Sequence, residues 1–284
     1  MIRIFDTYNE LKTLLQSKFD LDKWKVYLNH CYKGAAELCY NDLQECIDAE
    51  IYDFERDILP IISAVAHSNT LEQLHKSFLF ATDGLNDKIK CRFGRTIDVD
   101  IVLYLGLCNG AGWVTTVNGR KCILLGVEKI VELNWCDLDS MYGLLYHELG
   151  HVYQWQYGIL ECSSTDSRQA FIHQLFTEGI AMCFEQELVG KPDYFHQDRD
   201  GWKAWCDANF DRIKNDFYYD LHSMTRKDQR YFGDWASYYG KGDVGYYLGN
   251  RFVRDLLQND CFDKVIAYTP EQAYSAFEKW YINE

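Results

Sequence analysis

Residues 147–151 read His-Glu-Leu-Gly-His, and this HExxH pattern constrains the fold around it more than any other segment of the chain. Two histidines four apart share one face of an α-helix. On that face both imidazoles reach a single metal ion. The glutamate beside the first histidine lies about 100° round the helix, close enough to hold a water without ligating the metal. The residue types suit zinc. Neutral imidazole binds this borderline-soft ion, zinc lowers the pKa of a bound water to about 7, and a carboxylate can take the proton. Tyr146, Leu149 and Gly150 are uncharged, as a buried helix needs, and Met141, Leu144, Leu145, Leu149 and Val152 supply an apolar stripe. Asp137 and Asp139 stand ahead of it as candidate N-caps. The bland alternative is an amphipathic helix with two partly exposed histidines.

The third ligand decides the class. Gln154 and Tyr157 occupy the positions where a HExxHxxGxxH site needs Gly and His, so that solution is excluded. The other common solution is a glutamate from a second helix. Glu178 lies 178 − 151 = 27 residues on, leaving room for a loop from Gly158 to about Thr165 and about three helical turns back to the metal. Its helix is expected from about Ser167 to Leu188, with Ala170, Phe171, Leu175, Ala181, Met182 and Leu188 inward. A glutamate among apolar neighbours is costly to bury without a partner, and a zinc ion is such a partner. A surface glutamate is the alternative.

At this point the chain resembles known enzymes. Glu178-Gly179-Ile180-Ala181 is similar to the Glu-Gly-x-Ala motif that carries the third zinc ligand in many gluzincins. The run from Val244 to Val253 resembles a Gly-Tyr-x-aliphatic-Gly-Tyr-x-aliphatic-Val segment of a family of predicted bacterial zinc-dependent proteases, with Asn250 where that family tends to have a second Tyr. The resemblance covers about residues 97–257. It implies a zincin-like fold and a peptidase with His147, His151 and Glu178 holding one zinc per chain and Glu148 as general base. It further implies that Tyr246 donates to the oxyanion, with Tyr247 and His222 as alternatives, and that the stretch from about Gly110 to Thr116, including Ala111, Gly112 and Trp113, holds a peptide by strand addition. Aminopeptidases of this type carry a Gly-x-Met-Glu-Asn motif where Asn109 to Trp113 stand here. That segment has no carboxylate, so an endopeptidase or oligopeptidase is favoured. Asp98 or Asp100 would be substitutes, although both are expected to face solvent.

The rest of the chain organises around these motifs. Residues 6–90 read as mostly helical, with Trp24, Tyr27, Leu28 and Cys31 and then Ile58, Ile61, Ile62 and Val65 at helical spacing. Ile97 to Leu105 alternates and then runs apolar, as a strand does. Asn118-Gly119, between Val114–Val117 and Lys121–Leu125, signals a type I′ hairpin. The expected architecture is α+β and zincin-like, one domain in three parts: a helical lead-in over 1–90, a small mixed or antiparallel sheet with the HExxH helix over 91–165, and a helical lobe with the third ligand over 166–284. Ten aromatic residues between Phe217 and Tyr247, Trp235 among them, read as core or cleft lining. Asp166, Glu185 and Asp234 are unranked candidates for orienting the ligand imidazoles.

Composition excludes several classes. The 284 residues carry a net charge of −14 and no basic cluster, which disfavours a nucleic-acid partner. No run approaches 18 apolar residues and the start lacks an apolar signal region, so no membrane partner is expected. Eleven cysteines, an odd number without CxxC pairs, point to a reducing, cytoplasmic home. Cys31, Cys39 and Cys46 read as small core residues on one helix face rather than a zinc cluster; Cys162 and Cys183 likewise read as packing. Two rivals remain: a catalytically silent zincin-fold binding protein, and a di-iron carboxylate helical protein built on the pairs Glu72–His75 and Glu148–His151, which the mid-chain hairpin opposes.

Overall fold

The first residues form a strand. Ile2–Asp6 is β1, pairing in parallel with β2 (Val99–Tyr104), so the expected helical lead-in begins instead as part of the sheet. A five-residue strand with three apolar residues carries no clear periodicity, and its place depends on a partner nearly a hundred residues away. The computed structural model describes residues 1–225, 227–233 and 236–283. Its contacts cluster in two compact units, 1–148 and 149–284, which divide inside one unbroken helix.

In the first unit the sheet is mixed, as expected, in the order β1-β2-β4-β3. β3 (Gly112–Val117) and β4 (Arg120–Gly126) form an antiparallel hairpin. Asn118 and Gly119 turn it with φ of 51° and 77°, the double positive φ of a type I′ turn. β4 pairs in parallel with β2, which leaves β3 at the edge. β2 is buried along its whole length, so its alternation does not mark a solvent face. Asp100 is therefore fully buried rather than exposed. Arg3 from β1 donates to it at 2.7 and 2.5 Å, Arg120 from β4 at 2.6 Å and Tyr32 at 3.0 Å. Burial opposes its charge, but these hydrogen bonds prevail and hold its carboxyl below the usual range.

Six helices lie between β1 and β2, namely α1 (Tyr8–Leu14), α2 (Leu21–Cys31), α3 (Ala35–Asp48), α4 (Leu59–Ala66) after a π-helical turn, α5 (Leu71–Thr82) and α6 (Leu85–Phe93), and α7 (Val127–Glu132) follows β4. The cysteines expected on one helix face lie on two helices. Cys31 ends α2, a left-handed Gly34 opens α3, and of the three only Cys39 is buried. Trp24 and Leu28 are fully buried as their spacing predicts, and the Trp24 indole donates to the Leu105 carbonyl at 2.7 Å.

The helix α8 (Leu138–Tyr157) carries HExxH, and in the second unit α9 (Ser167–Val189) carries Glu178. Then follow α10 (Trp202–Ala208), α11 (Phe210–Asp220), α12 (Val244–Leu256), α13 (Phe262–Val265) and α14 (Pro270–Asn283). Among the described residues no helix is long and apolar enough to cross a membrane. α9 is not the one-sided amphipathic helix its sequence suggests. From Leu175 to Gln186 every residue except Glu178 is buried, while Ala170, Phe171 and Leu188 near its ends are only half-buried. A helix covered on all sides loses the polar stripe that periodicity detects.

Glycines let these helices approach. A Cβ on Gly150 would lie 2.8 Å from the Ala181 Cα, so the glycine of HELGH meets the alanine of EGIA. A Cβ on Gly179 would overlap the Gly249 carbonyl oxygen, and one on Gly249 would sit 3.0 Å from the Gly179 nitrogen. These are backbone atoms of packed helices and cannot rotate away. Gly179→Ala is expected to lower stability by about 3 kcal/mol, the upper range for overpacking a filled core. Its denaturant midpoint should fall with an unchanged slope; an unaltered midpoint would mean that α9 and α12 separate at little cost.

Candidate metal centre

Helix α8 starts where the sequence predicts. Of the two candidate caps, Asp137 acts: it accepts from the Ser140 amide at 2.9 Å and the Ser140 hydroxyl at 2.7 Å, while Asp139 lies in the first turn. His147 and His151 then share a face. His147 is 3 % exposed and His151 is half-buried. A ligand atom from each of His147, His151 and Glu178 lies within 4.8 Å of the other two. His151 Nε2 is 3.3 Å from Glu178 Oε2. Two ligands bound at about 2.1 Å to one tetrahedral ion stand about 3.4 Å apart. Two imidazoles and a carboxylate within 4.8 Å of one another, one residue buried and two half-buried, can hold a metal ion.

Glu148, on the same helix, is 7 % exposed. Its side chain lies against the start of the edge strand. A Cβ on Gly112 would come within 2.7 Å of the Glu148 Cγ and Cδ. Only glycine admits the carboxylate here, so the first residue of β3 and the glutamate of HExxH are in direct register. The preceding bend is held by groups the sequence did not flag. Glu128 of α7 accepts from the Gly106 amide at 2.6 Å and the Cys108 amide at 3.0 Å. Burial pushes the Glu128 carboxyl up to about 7, against those two hydrogen bonds. Asn109 donates to the Cys39 carbonyl and to Asp42, both at 2.8 Å. The Ala111 carbonyl accepts from the Gly126 amide at 3.0 Å, and Gly110 takes φ of 154°. Trp113 pairs with Leu124 and is half-buried at the sheet edge.

A second set of donors converges on His147. Ligand atoms of His147, Glu185 and His196 also lie within 4.8 Å of one another, and all three residues are buried. Glu185 was one of three unranked candidates. Asp166 is the exposed N-cap of α9, accepting from the Arg168 amide at 2.8 Å and the Gln169 amide at 3.3 Å, so it does not join the ligands. Asp234 lies outside the described residues, as does Trp235. His196 was missed altogether. It stands in the connection between α9 and α10, where no period marks a lone histidine.

The tyrosine segment separates into roles. Tyr246 is half-buried near the start of α12, its ring 5.8 Å from Phe232 in an edge-on contact. Tyr247 is buried among Phe195, Trp202 and Phe210 and donates to Asp207 at 2.7 Å, a core role. His222 is exposed beside Tyr218. Asn250, the departure from the family segment, is buried and donates to Gln186 at 3.0 Å and Cys183 at 3.4 Å. No cysteine belongs to either donor set. The di-iron pairs do not assemble: Glu72 is exposed and bound to Lys76 at 2.6 Å, and His75 contacts Asp6 at 2.7 Å. Comparison with protein-family models, with curated proteins and with solved structures gave no match.

Proposed function

We propose that the chain is a zinc-dependent peptidase of gluzincin type with a zincin-like fold, cleaving peptide bonds within an extended substrate. The observation that carries this reading is the convergence of His147, His151 and Glu178, with Glu148 on the same helix against the first residue of an edge strand. His147, His151 and Glu178 would hold the ion. When bound it supplies Lewis acidity, lowering the pKa of a water and polarising a carbonyl. Glu148 takes the proton of the attacking water and returns it to the leaving amine. β3 offers an extended peptide main-chain groups along its outer edge, with Gly112 against Glu148 and Gly110, Ala111 and Trp113 adjoining it in sequence, and so aligns the scissile carbonyl.

The anchoring of an α-amine needs an uncommitted carboxylate. Asp100 is saturated by two arginines and a tyrosine, and Asp98 is held by the N-terminal amine at 2.6 Å and Arg120 at 2.8 Å. This supports endopeptidase or oligopeptidase action over aminopeptidase action. The test is metal analysis of the purified chain with cleavage of a mixed peptide library. One zinc per chain with internal cleavage is expected. One zinc without any cleavage would favour a silent binding protein, and two irons would overturn the reading.

Tyr246 is assigned the second oxyanion donor, supported by its half-buried place at the start of α12. Tyr246→Phe is expected to lower kcat by ~10²–10³ with little change in KM or zinc content. A kcat within threefold of the parent, with stability changed by about 1 kcal/mol, would make Tyr246 a packing residue.

A further inference from the structure

We propose that Glu185 and His196 form a buried carboxylate–imidazole pair that positions the ligand His147, a proposal that rests on the zinc reading above. Glu185 is fully buried, and a carboxylate in such a place costs several kcal/mol unless it is paired. Apolar residues would fill the space at no such cost. The carboxylate is instead surrounded by imidazole and amide groups. His196 presents its Nδ1 at 3.1 and 3.0 Å from the two carboxylate oxygens, and its own backbone amide donates to Oε1 at 3.2 Å. A nitrogen of His147 lies within 4.8 Å of both partners. The Glu185–His196 pair thus stands within 4.8 Å of a nitrogen of the imidazole proposed as a metal ligand.

The segment that brings His196 in is itself tied down. Gln186, next to Glu185 on α9, donates to the Tyr194 carbonyl at 2.9 Å, and the Lys191 amide returns to the Gln186 carbonyl at 3.2 Å. Phe195 is 5 % exposed, its ring against Trp202 and Tyr247. The segment leading into His196 is therefore fixed, which presents the imidazole to Glu185. Glu185 follows Glu178 by two helical turns, so both carboxylates project from one side of α9. Glu178 serves as ligand. The charge of Glu185, within 4.8 Å of a His147 nitrogen, favours one orientation of that ring, and a carboxylate beside a ligand imidazole raises its basicity toward the ion. His196 fixes the rotamer of Glu185. Both are positioning residues, since neither touches the substrate.

The experiment measures zinc dissociation constants by competition with a chromophoric chelator, the visible spectrum of the cobalt(II) form, and thermal unfolding of the metal-free chain. Glu185→Gln keeps the shape and removes the charge. It is expected to weaken zinc binding ~10- to 100-fold and alter the cobalt spectrum, while the metal-free chain unfolds no earlier than the parent. His196→Asn, whose amide nitrogen falls near the place of Nδ1, should bind zinc within threefold of the parent. His196→Leu should lose affinity by ~3- to 10-fold. Zinc affinity and cobalt spectrum unchanged in Glu185→Gln and His196→Leu would overturn the proposal while leaving the zinc reading intact. So would two ions per parent chain with one lost in His196→Leu, which makes the pair a second ligand set. A parent chain that binds no zinc overturns both.

Discussion

Glu148→Gln is expected to retain one zinc per chain and to lose peptide hydrolysis by ~10²-fold or more. The amide has the shape of the carboxylate and keeps an acceptor, so it fits the same space against Gly112, where a Cβ would already collide. What it lacks is basicity. The proton of the attacking water then has no local destination, and the leaving amine loses its donor. Under the proposed binding of substrate along β3 the carboxylate is not used, so KM should change little while kcat collapses, the signature of an interaction made only in the transition state. Zinc content discriminates the roles. Loss of zinc together with activity would make Glu148 a ligand, and a proton-transfer mechanism through it would be withdrawn. Activity within threefold of the parent would assign the base to another group.

The features that local chemistry dictates were legible in the sequence. The HExxH spacing points to a helix because residues four apart share one helical face and both imidazoles then reach one point. Asn118-Gly119 fixes a hairpin because few residues accept positive φ twice in succession. The start of α9 at Ser167 is capped by Asp166, which the sequence offered only as an unranked candidate for orienting the ligand imidazoles. Glu178 was legible as a carboxylate in an apolar run, and it comes to lie 3.3 Å from His151.

What was not legible depends on partners distant in sequence. Nothing in Ile2–Asp6 announces a strand until Val99–Tyr104 is beside it. Asp100 reads as solvent-facing by alternation, yet Arg3 and Arg120 arrive from both neighbouring strands and cover it. His196 follows the same rule, and Glu185 could be named from the sequence only as one of three unranked candidates. A buried glutamate on a helix covered all round resembles any other polar position, and a histidine in a connection has no period. Only the fold pairs them at 3.0 Å. Gly150, Gly179 and Gly249 sit between the two cases. They were quoted as parts of motifs, but their physical reason, the close approach of helices within the second unit, appears only when the backbones are seen together.

Glu178→Gln is expected to weaken zinc binding at least ~10-fold, a loss of about 1.4 kcal/mol or more. The amide keeps one oxygen donor but loses the charge that offsets the ion's, and two neutral imidazoles then face a divalent cation alone. In the metal-free chain the same change is small. Glu178 is half-buried, so losing its 3.3 Å contact with His151 should alter folding stability by less than about 1 kcal/mol. The contrast between a large effect on the metal and a small effect on the fold is the measurable point, read by chelator competition beside denaturant unfolding of the metal-free protein. Full zinc occupancy in Glu178→Gln would transfer the ligand role to another carboxylate. Asp166 is committed to capping α9, and Glu185 is the carboxylate already within 4.8 Å of a His147 nitrogen. The double variant Glu178→Gln, Glu185→Gln separates the cases. If Glu178 is the ligand and Glu185 acts through His147, the single Glu178→Gln variant already shows its loss and the second substitution adds the ~10- to 100-fold expected of Glu185→Gln alone. If Glu185 replaces Glu178 as ligand, the single variant stays near the parent and the double variant releases the ion.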